Sequence, residues 1–281
     1  MSARSRFALF VAAALVVGGC TALRVEPETP RSEPTTAVSA DTLLAGIDER
    51  SAAVQTFRAL AQMHYVGSSD TLAVKEVVAV ERPNRLRIEM MSAFGVALQI
   101  ASDGSRLCAY HRGDRTFYRG RATAANLSRF TRLDLELADV VDLLIGLPPH
   151  REWRGRPSIA FDRPQGNWRV ETDLGDGGSL TVWFDPDSLL PVRATETSAA
   201  GAVRYIAKYG NYSVVSGVAM PAAVRFEVPA QEAKIDLRYS DVSLNSSMNA
   251  GLFSFDAPVG SKIVDLDAVG SIESPSTLAV R

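Results

Sequence analysis

The sequence predicts a mainly β, α+β fold: a single curled antiparallel β-sheet of about eleven strands, with a helical lid over an apolar cavity. Three observations predict it. Apolar and polar residues alternate with a period of two over most of the chain. Turn signals such as Asp103-Gly104 separate the alternating segments. No helical segment is long enough to be a parallel crossover, so sequential strands pair antiparallel, and so large a sheet must curl or close.

The strand segments run from residue 57 to 120 and again from 157 to 244. The cleanest is residues 85–90 (RLRIEM), where every second residue, Leu86, Ile88 and Met90, shares one face. In these segments carboxylates such as Glu76 and Glu89 have arginines nearby, a pattern typical of a solvated face.

Three segments have helical character. Residues 39–53 place apolar residues at helical spacing, and Asp41 can cap this helix. Residues 123–130 allow one or two helical turns. Residues 134–146 form a stronger pattern, which Gly146 and the following prolines end. Because a curled sheet needs something on its concave face, these segments are predicted to act as a lid or plug.

The first residues have the features of a lipoprotein signal peptide. Arg4 and Arg6 precede an apolar stretch, residues 7–17, which is shorter than the roughly 20 residues that span a bilayer. A pair of glycines then precedes Cys20, an order that resembles the lipobox of bacterial lipoproteins. Cys20 is therefore predicted to be a lipid anchor carrying palmitate-type acyl chains. The alternative is an ordinary signal peptide with a cysteine beside its cleavage site.

The remaining boundaries follow from composition. The residues after Cys20 are rich in Pro, Thr, Ser and Glu and predict a flexible tether. Thr21, rather than Asp, resembles the address of outer-membrane lipoproteins. The predicted organisation is a signal peptide at 1–19, a lipidated cysteine with its tether at 20–40, one domain at 41–267, and a disordered tail at 268–281.

The composition excludes several classes of function. The formal net charge is −2, and no basic stripe is present, which argues against a nucleic-acid partner. The three histidines have no metal-ligand spacing, and no nucleophile, zinc-protease or phosphate-loop motif occurs. Cys108 has no second cysteine for a disulfide in the mature chain. The sequence therefore predicts a protein that is not an enzyme and has neither cofactor nor metal.

An apolar loop interrupts the strand pattern near residue 94. Residues 89–98 (EMMSAFGVAL) place Phe94 and Gly95 at a hairpin, where polar residues are expected. One interpretation is that Phe94 folds back onto the rim of the barrel. The other is an exposed apolar tip, which typically marks contact with a membrane or a partner.

Residues 82–107 resemble the early strands of the LolA/LolB superfamily of lipoprotein carriers, with LolB the closest in pattern. Residues 139–149 (DVVDLLIGLPP) are similar to the LolB lid segment. Residues 218–228 and 233–245 resemble its late strands. The order and spacing agree over roughly residues 54–245. Ala93 departs from the pattern, because LolB has a proline there.

The resemblance implies an unclosed antiparallel half-barrel that holds acyl chains. LolB takes lipoproteins from the periplasmic chaperone LolA and inserts them into the outer membrane, and its protruding loop carries a leucine needed for insertion. Phe94, followed by Gly95, occupies that place here. The predicted acyl-chain cavity is lined by Leu86, Ile88, Met90, Leu98, Ile100, Val141 and Leu144, each of which could equally be plain core.

The function that these observations predict is that of an outer-membrane-anchored, periplasm-facing lipoprotein of a Gram-negative bacterium. It would bind acyl chains of lipoproteins or phospholipids, help to localise them, and receive cargo from a LolA-like chaperone. It is expected to be a monomer. The alternative is an envelope accessory or stress-sensor lipoprotein that binds a protein partner and transfers nothing.

Overall fold

The computed structural model describes residues 32–131, 134–149 and 154–268. Within them the chain forms three α-helices and fourteen β-strands. The helices are α1 (Ala40–Ala53), α2 (Ala124–Thr131) and α3 (Leu137–Leu144). The strands are β1 (Thr56–Val66), β2 (Thr71–Glu81), β3 (Arg85–Ser92), β4 (Gly95–Ser102), β5 (Arg106–His111), β6 (Thr116–Arg121), β7 (Arg154–Asp162), β8 (Asn167–Asp173), β9 (Ser179–Phe184), β10 (Pro191–Thr197), β11 (Val203–Val215), β12 (Val218–Val228), β13 (Ala233–Leu244) and β14 (Lys262–Asp265).

All fourteen strands belong to one curled sheet. Their order is β14-β6-β5-β4-β3-β2-β1-β13-β12-β11-β10-β9-β8-β7, so the chain builds two meanders that join where β13 pairs with β1. Strands β14 and β7 are the two edges, and the barrel is therefore unclosed. Every pairing is antiparallel except that of β14 with β6, which is parallel. The predicted mainly β, curled, unclosed architecture is confirmed.

The strand count exceeds the predicted number of about eleven. The clearest omission is β14, which has only four residues, Lys262–Asp265. A strand this short gives almost no alternation signal, and most of its side chains are exposed. Its pairing with β6 connects residues that are far apart in sequence, and so nothing local predicts it.

Helix α1 begins after Ser39, whose Oγ accepts a hydrogen bond from the backbone N–H of Thr42 at 3.1 Å. Ser39 is therefore the N-cap, and the expectation that Asp41 caps this helix is wrong. Asp41 lies in the first turn, where its negative charge interacts favourably with the positive end of the helix dipole. The apolar side of the helix, with Leu43 and Ile47, is buried against the sheet.

The inner face of the sheet and the three helices share one hydrophobic cluster. On β1 the inward residues Phe57, Ala59 and Ala61 are buried, whereas the intervening side chains are exposed. Helix α1 packs against β7 and β12, and α3 packs against β3. Burial of one large apolar side chain contributes about 1.5–3 kcal/mol, so these contacts hold the helices on the concave side.

The C-terminal segment, residues 249–268, crosses the outer face. Phe253 is fully buried there, and the Nη1 of Arg87 donates a hydrogen bond to the Leu252 carbonyl at 2.7 Å. Phe255 packs edge-on against Phe117, with ring centroids 5.6 Å apart. The segment then forms β14 beside β6.

Several predicted features lie outside the described residues: the signal peptide at 1–19, Cys20, the first part of the tether, and residues 269–281 of the tail. The described part of the tether contacts the domain, since Glu33 pairs with Arg163 at 3.2 Å. The domain limits at 41 and 267 stay a prediction. No helix within the described residues has the length and apolar character needed to cross a membrane.

Candidate functional site: the inner face and the Phe94 hairpin

The seven residues predicted to line an acyl-chain cavity all lie in the hydrophobic cluster beneath the helices. Each is at most 6% exposed: Leu86, Ile88, Met90, Leu98, Ile100, Val141 and Leu144. Their burial is compatible both with acyl-chain contact and with plain core, and so their role as cavity residues stays a prediction.

The register of β3 and β4 brings five of these residues together. Ile88 pairs with Ile100, and Met90 pairs with Leu98, so all four side chains project from the same side of the sheet. Leu86, two residues before Ile88 on β3, is the fifth residue on that side. Helix α3, which carries the other two predicted residues, packs on β3 from that side. The sequence pattern thus predicted a real apolar surface between the sheet and α3.

Three contacts hold α3 in place. The Nε of Arg82, in the β2–β3 turn, lies 3.0 Å from Oδ1 of Asp142, and both side chains are largely buried. The same guanidinium donates to the Ser51 carbonyl of α1, so it joins both helices to the sheet. Tyr239 on β13 donates its hydroxyl hydrogen to the Leu144 carbonyl at 2.7 Å.

Besides the Arg82–Asp142 pair and the Tyr239–Leu144 hydrogen bond, a close steric contact holds the end of α3. Gly146 follows α3 with a φ of 78°, the left-handed region that favours glycine. A Cβ at this position would lie 2.1 Å from Cγ of Pro221, on β12. Only glycine therefore lets the end of α3 approach the sheet so closely.

The inner face also carries buried polar atoms. Oε2 of Glu76 is buried without a hydrogen-bond partner among the described residues, and the residue is 2% exposed. Burial raises the pKa of Glu76 from 4.5 to about 8, so its carboxyl is neutral at neutral pH. Burial likewise raises the pKa of Tyr239 well above 10, which keeps its hydroxyl a donor. Nη2 of Arg50 and the hydroxyl of Tyr209 are two more buried atoms with no hydrogen-bond partner in the part of the chain that the structure describes.

The assignment of Glu76 to a solvated face is wrong. Its cross-strand neighbours are Ala61 and Met90, both inward residues. The signal was present in the sequence, because Glu76 lies two residues from Val74 and Val78 on the buried side of β2. By contrast, Glu89 is half-buried on the outer face, where it pairs with Arg87.

The Phe94 side chain is 82% exposed at the tip of the β3–β4 hairpin. Ser92 pairs with Gly95, which has a φ of 103°, and leaves a two-residue loop. The hydroxyl of Ser92 donates to the Gly95 carbonyl at 2.9 Å and accepts from the Phe94 N–H at 3.2 Å. Phe94 does not fold back onto the rim; an ordered turn presents it to solvent.

A shallow groove of about 470 Å³ lies at the opposite end of the strands, beside β1, β2 and β13. Its lining includes Gln55, Glu81 and Asn245, and none of the predicted cavity residues. Across residues 32–131, 134–149 and 154–268, no group of three or more His, Cys, Asp or Glu side chains is placed to hold a metal ion.

Comparison with solved structures identifies the fold. A LolA superfamily protein from Nitrosomonas europaea aligns with a TM-score of 0.53 and 15% identity, over 78% of this chain and 99% of its own. The chain therefore shares its fold with that protein. A domain from Vibrio parahaemolyticus, assigned to outer-membrane lipoprotein sorting, aligns with a TM-score of 0.54 and 13% identity, over 76% of this chain and 97% of its own.

A third similar structure is a DUF1329 family protein from Desulfovibrio piger. It aligns with a TM-score of 0.56 and 14% identity, over 75% of this chain and 97% of its own. No protein-family model matches the sequence, and neither does any curated protein. At these identities the likeness concerns the fold.

Proposed function

We propose that this protein is a lipid-anchored envelope protein that binds acyl chains of lipoproteins or phospholipids between the curled sheet and helix α3. One observation carries the proposal: the predicted cavity residues form a continuous apolar surface, and a small helix covers it. Leaving an acyl chain in water costs about 0.8 kcal/mol per CH₂, so a carrier needs such a surface and a cover.

In this proposal α3 is the lid, and the described structure is its closed state. Inward side chains of the helices fill the concave side, so an acyl chain can enter only when α3 moves. Movement breaks the Arg82–Asp142 pair and the Tyr239–Leu144 hydrogen bond. The mechanism is binding and release, and it involves no catalysis.

Delivery in this proposal depends on the membrane. Cys20 anchors the chain to the outer membrane through its acyl chains, and two or three chains are enough for stable attachment. Phe94, exposed at the hairpin tip, reaches into lipid as the protruding leucine of LolB does. A LolA-like periplasmic chaperone is the proposed donor of cargo. These roles correspond to LolB among members of the superfamily.

A second candidate function is that of an accessory or sensor lipoprotein that binds a protein partner. The packing of the inner face favours it, because every predicted cavity residue is buried in the described state. A scaffold has no need for a lumen, whereas a carrier must open one.

Native mass spectrometry of the chain purified from bacterial membranes separates the two functions. The carrier proposal expects phospholipid or acylated peptide bound in a fixed ratio, retained by a Phe94→Asp variant. A chain that holds no acyl ligand, even when incubated with acylated peptide, would leave the partner-binding function.

A further inference from the structure

A second exposed apolar tip lies in the C-terminal segment. The side chain of Val259 is 97% exposed, in the turn just before β14. The turn is ordered: the Ser261 N–H and Oγ both donate to the Pro258 carbonyl, at 3.1 and 2.6 Å. Gly260 has a φ of 78°, as the third position of a type II turn requires. The turn therefore holds Val259 outward.

The β5–β6 hairpin lies between the two apolar tips and contacts both of them through arginine side chains. The β5–β6 loop carries Arg112, whose Nη1 donates to the Phe94 carbonyl at 3.0 Å. Arg115, at the end of the same loop, donates from Nη2 to the Val259 carbonyl at 3.2 Å. Each tip is thus fixed from behind by a guanidinium.

The two tips project from the same end of the strands. Strand β14 is parallel to β6, and Lys262 pairs with Thr116, so the turns that precede these strands project the same way. The β3–β4 hairpin projects there as well, because β4, β5 and β6 alternate in direction. Three strand spacings separate β4 from β14, about 14 Å, and the Arg112 loop lies between them.

The charge at this end favours an anionic partner. Arg112 and Arg115 are both exposed, and neither forms an ion pair with a carboxylate of the described residues. The nearby Asp114 carboxylate lies 2.9 Å from the His111 ring instead. Lys262 adds a third cation and Asp256 a second carboxylate, so these five side chains of the two turns and the loop between them carry one net positive charge, although the whole chain is slightly acidic.

From this arrangement we infer that Phe94, Val259, Arg112 and Arg115 form a two-pronged contact for an anionic phospholipid surface. The two apolar side chains enter the headgroup–acyl boundary from turns beside strands that lie about 14 Å apart. The guanidinium groups between them bind lipid phosphates. The aliphatic part of each arginine side chain lies along the acyl region while its charged group stays in the headgroup layer. The inference deepens the proposed function by adding a second anchor and a lipid preference to the Phe94 tip.

Site-directed spin labelling of the full chain, reconstituted in vesicles, tests this contact. Single labels are placed at Phe94→Cys, Val259→Cys and, as a control, Val214→Cys, in a Cys108→Ala background. Val214 is 73% exposed at the opposite end of the strands, beside the β11–β12 turn. Label depth is compared in vesicles of phosphatidylcholine alone and of phosphatidylcholine with phosphatidylglycerol.

We expect the labels at positions 94 and 259 to enter the phosphatidylglycerol vesicles together, while the label at 214 stays in water. Added salt and the paired change Arg112→Gln with Arg115→Gln should both reduce insertion to the level in phosphatidylcholine alone. Arg163→Gln, a charge change at the opposite edge, should leave it unaltered.

A label at 259 that remains in water while the label at 94 inserts would overturn the inference and leave the proposed function intact. Insertion of both labels without any dependence on phosphatidylglycerol or salt would overturn the anionic preference. Failure of the proposed function itself has a different signature, the absence of bound acyl ligand in native mass spectrometry.

Discussion

Arg82 and Asp142 form a largely buried ion pair, with an N–O distance of 3.0 Å, between the β2–β3 turn and helix α3. The two residues are 60 positions apart in the chain. Because the same guanidinium also binds the Ser51 carbonyl, one side chain connects α1, α3 and the sheet. In the proposed carrier this pair keeps the lid closed.

Replacement of Arg82 by methionine should destabilise the protein, since Asp142 is left as a buried charge without this partner. Removal of one member of a buried pair costs about 3 kcal/mol at the low end of the observed range. Urea unfolding would measure the change.

The carrier proposal also expects faster uptake of a fluorescent fatty acid, because the lid opens more easily. Arg169→Met, in an exposed pair with Glu171, is the control. Unaltered uptake by a folded, destabilised Arg82→Met protein would argue against α3 as the lid.

Gly146→Ala should be more damaging than Gly201→Ala. Both glycines have a φ near 80°, so alanine introduces the same backbone strain, of about 1–2 kcal/mol, at either position. Only at Gly146 does the new Cβ collide with Pro221; at Gly201 the corresponding Cβ has no atom of the described residues within 4 Å, apart from its chain neighbours. Urea unfolding of the two variants measures the difference. Equal losses of stability would mean that the approach of α3 to β12 is not tight.

Glu76 should make stability depend on pH. The folded protein holds the Glu76 proton up to a pKa of about 8, whereas the unfolded chain releases it near 4.5. The contribution of Glu76 to the free energy of unfolding is therefore fully present below pH 4.5. The free energy of unfolding then falls as the pH rises from 4.5 through the folded-state pKa of about 8. Glu76→Gln should remove this part of the slope and raise the urea midpoint at neutral and alkaline pH.

The control for that titration is Glu171→Gln, a partly exposed carboxylate in a surface ion pair. It should shift the midpoint little, because exposed pairs contribute roughly 0–1 kcal/mol. A Glu76→Gln protein with the parent's full pH slope would show that another group carries the titration.

Phe94→Asp should reduce delivery of a labelled lipoprotein to liposomes about tenfold or more. Transfer of an exposed phenylalanine into lipid is worth about 1.5–3 kcal/mol, and a carboxylate loses that gain. Val214→Asp, a similar change at the opposite end of the strands, should transfer cargo like the parent. If Phe94→Asp delivers at the parental rate with full cargo occupancy, the tip has no role in insertion.

The sequence predicted the inner surface well because that surface depends on local periodicity. Leu86, Ile88 and Met90 are buried as their alternation indicates, whereas the sequence left open whether Phe94 is exposed or folds back onto the rim. The alternation of β2 also places Glu76 on the buried face, but the assignment to a solvated face followed from its being a carboxylate. A carboxylate normally prefers water, and burial of this one depends on its neutral form.

Contacts between distant residues could not be predicted in the same way. The Arg82–Asp142 pair, the approach of Gly146 to Pro221 and the return of β14 to β6 depend on tertiary structure rather than on any local pattern. Val259 was likewise missed. The exposure of Val259 indicates a contact surface only once the structure shows that Arg115 holds its turn at the same end of the strands as Phe94.

The most direct test of the proposed function is photo-crosslinking of the full chain with phospholipid that carries a diazirine in its acyl chain, followed by mapping of the labelled peptides. Acyl-chain binding beneath α3 predicts adducts on residues of the inner face, such as Met90, Leu98 and Leu144, and competition by unlabelled acylated peptide. Adducts confined to the Phe94 hairpin or to the outer face would contradict it, and would describe a protein that touches lipid without carrying it.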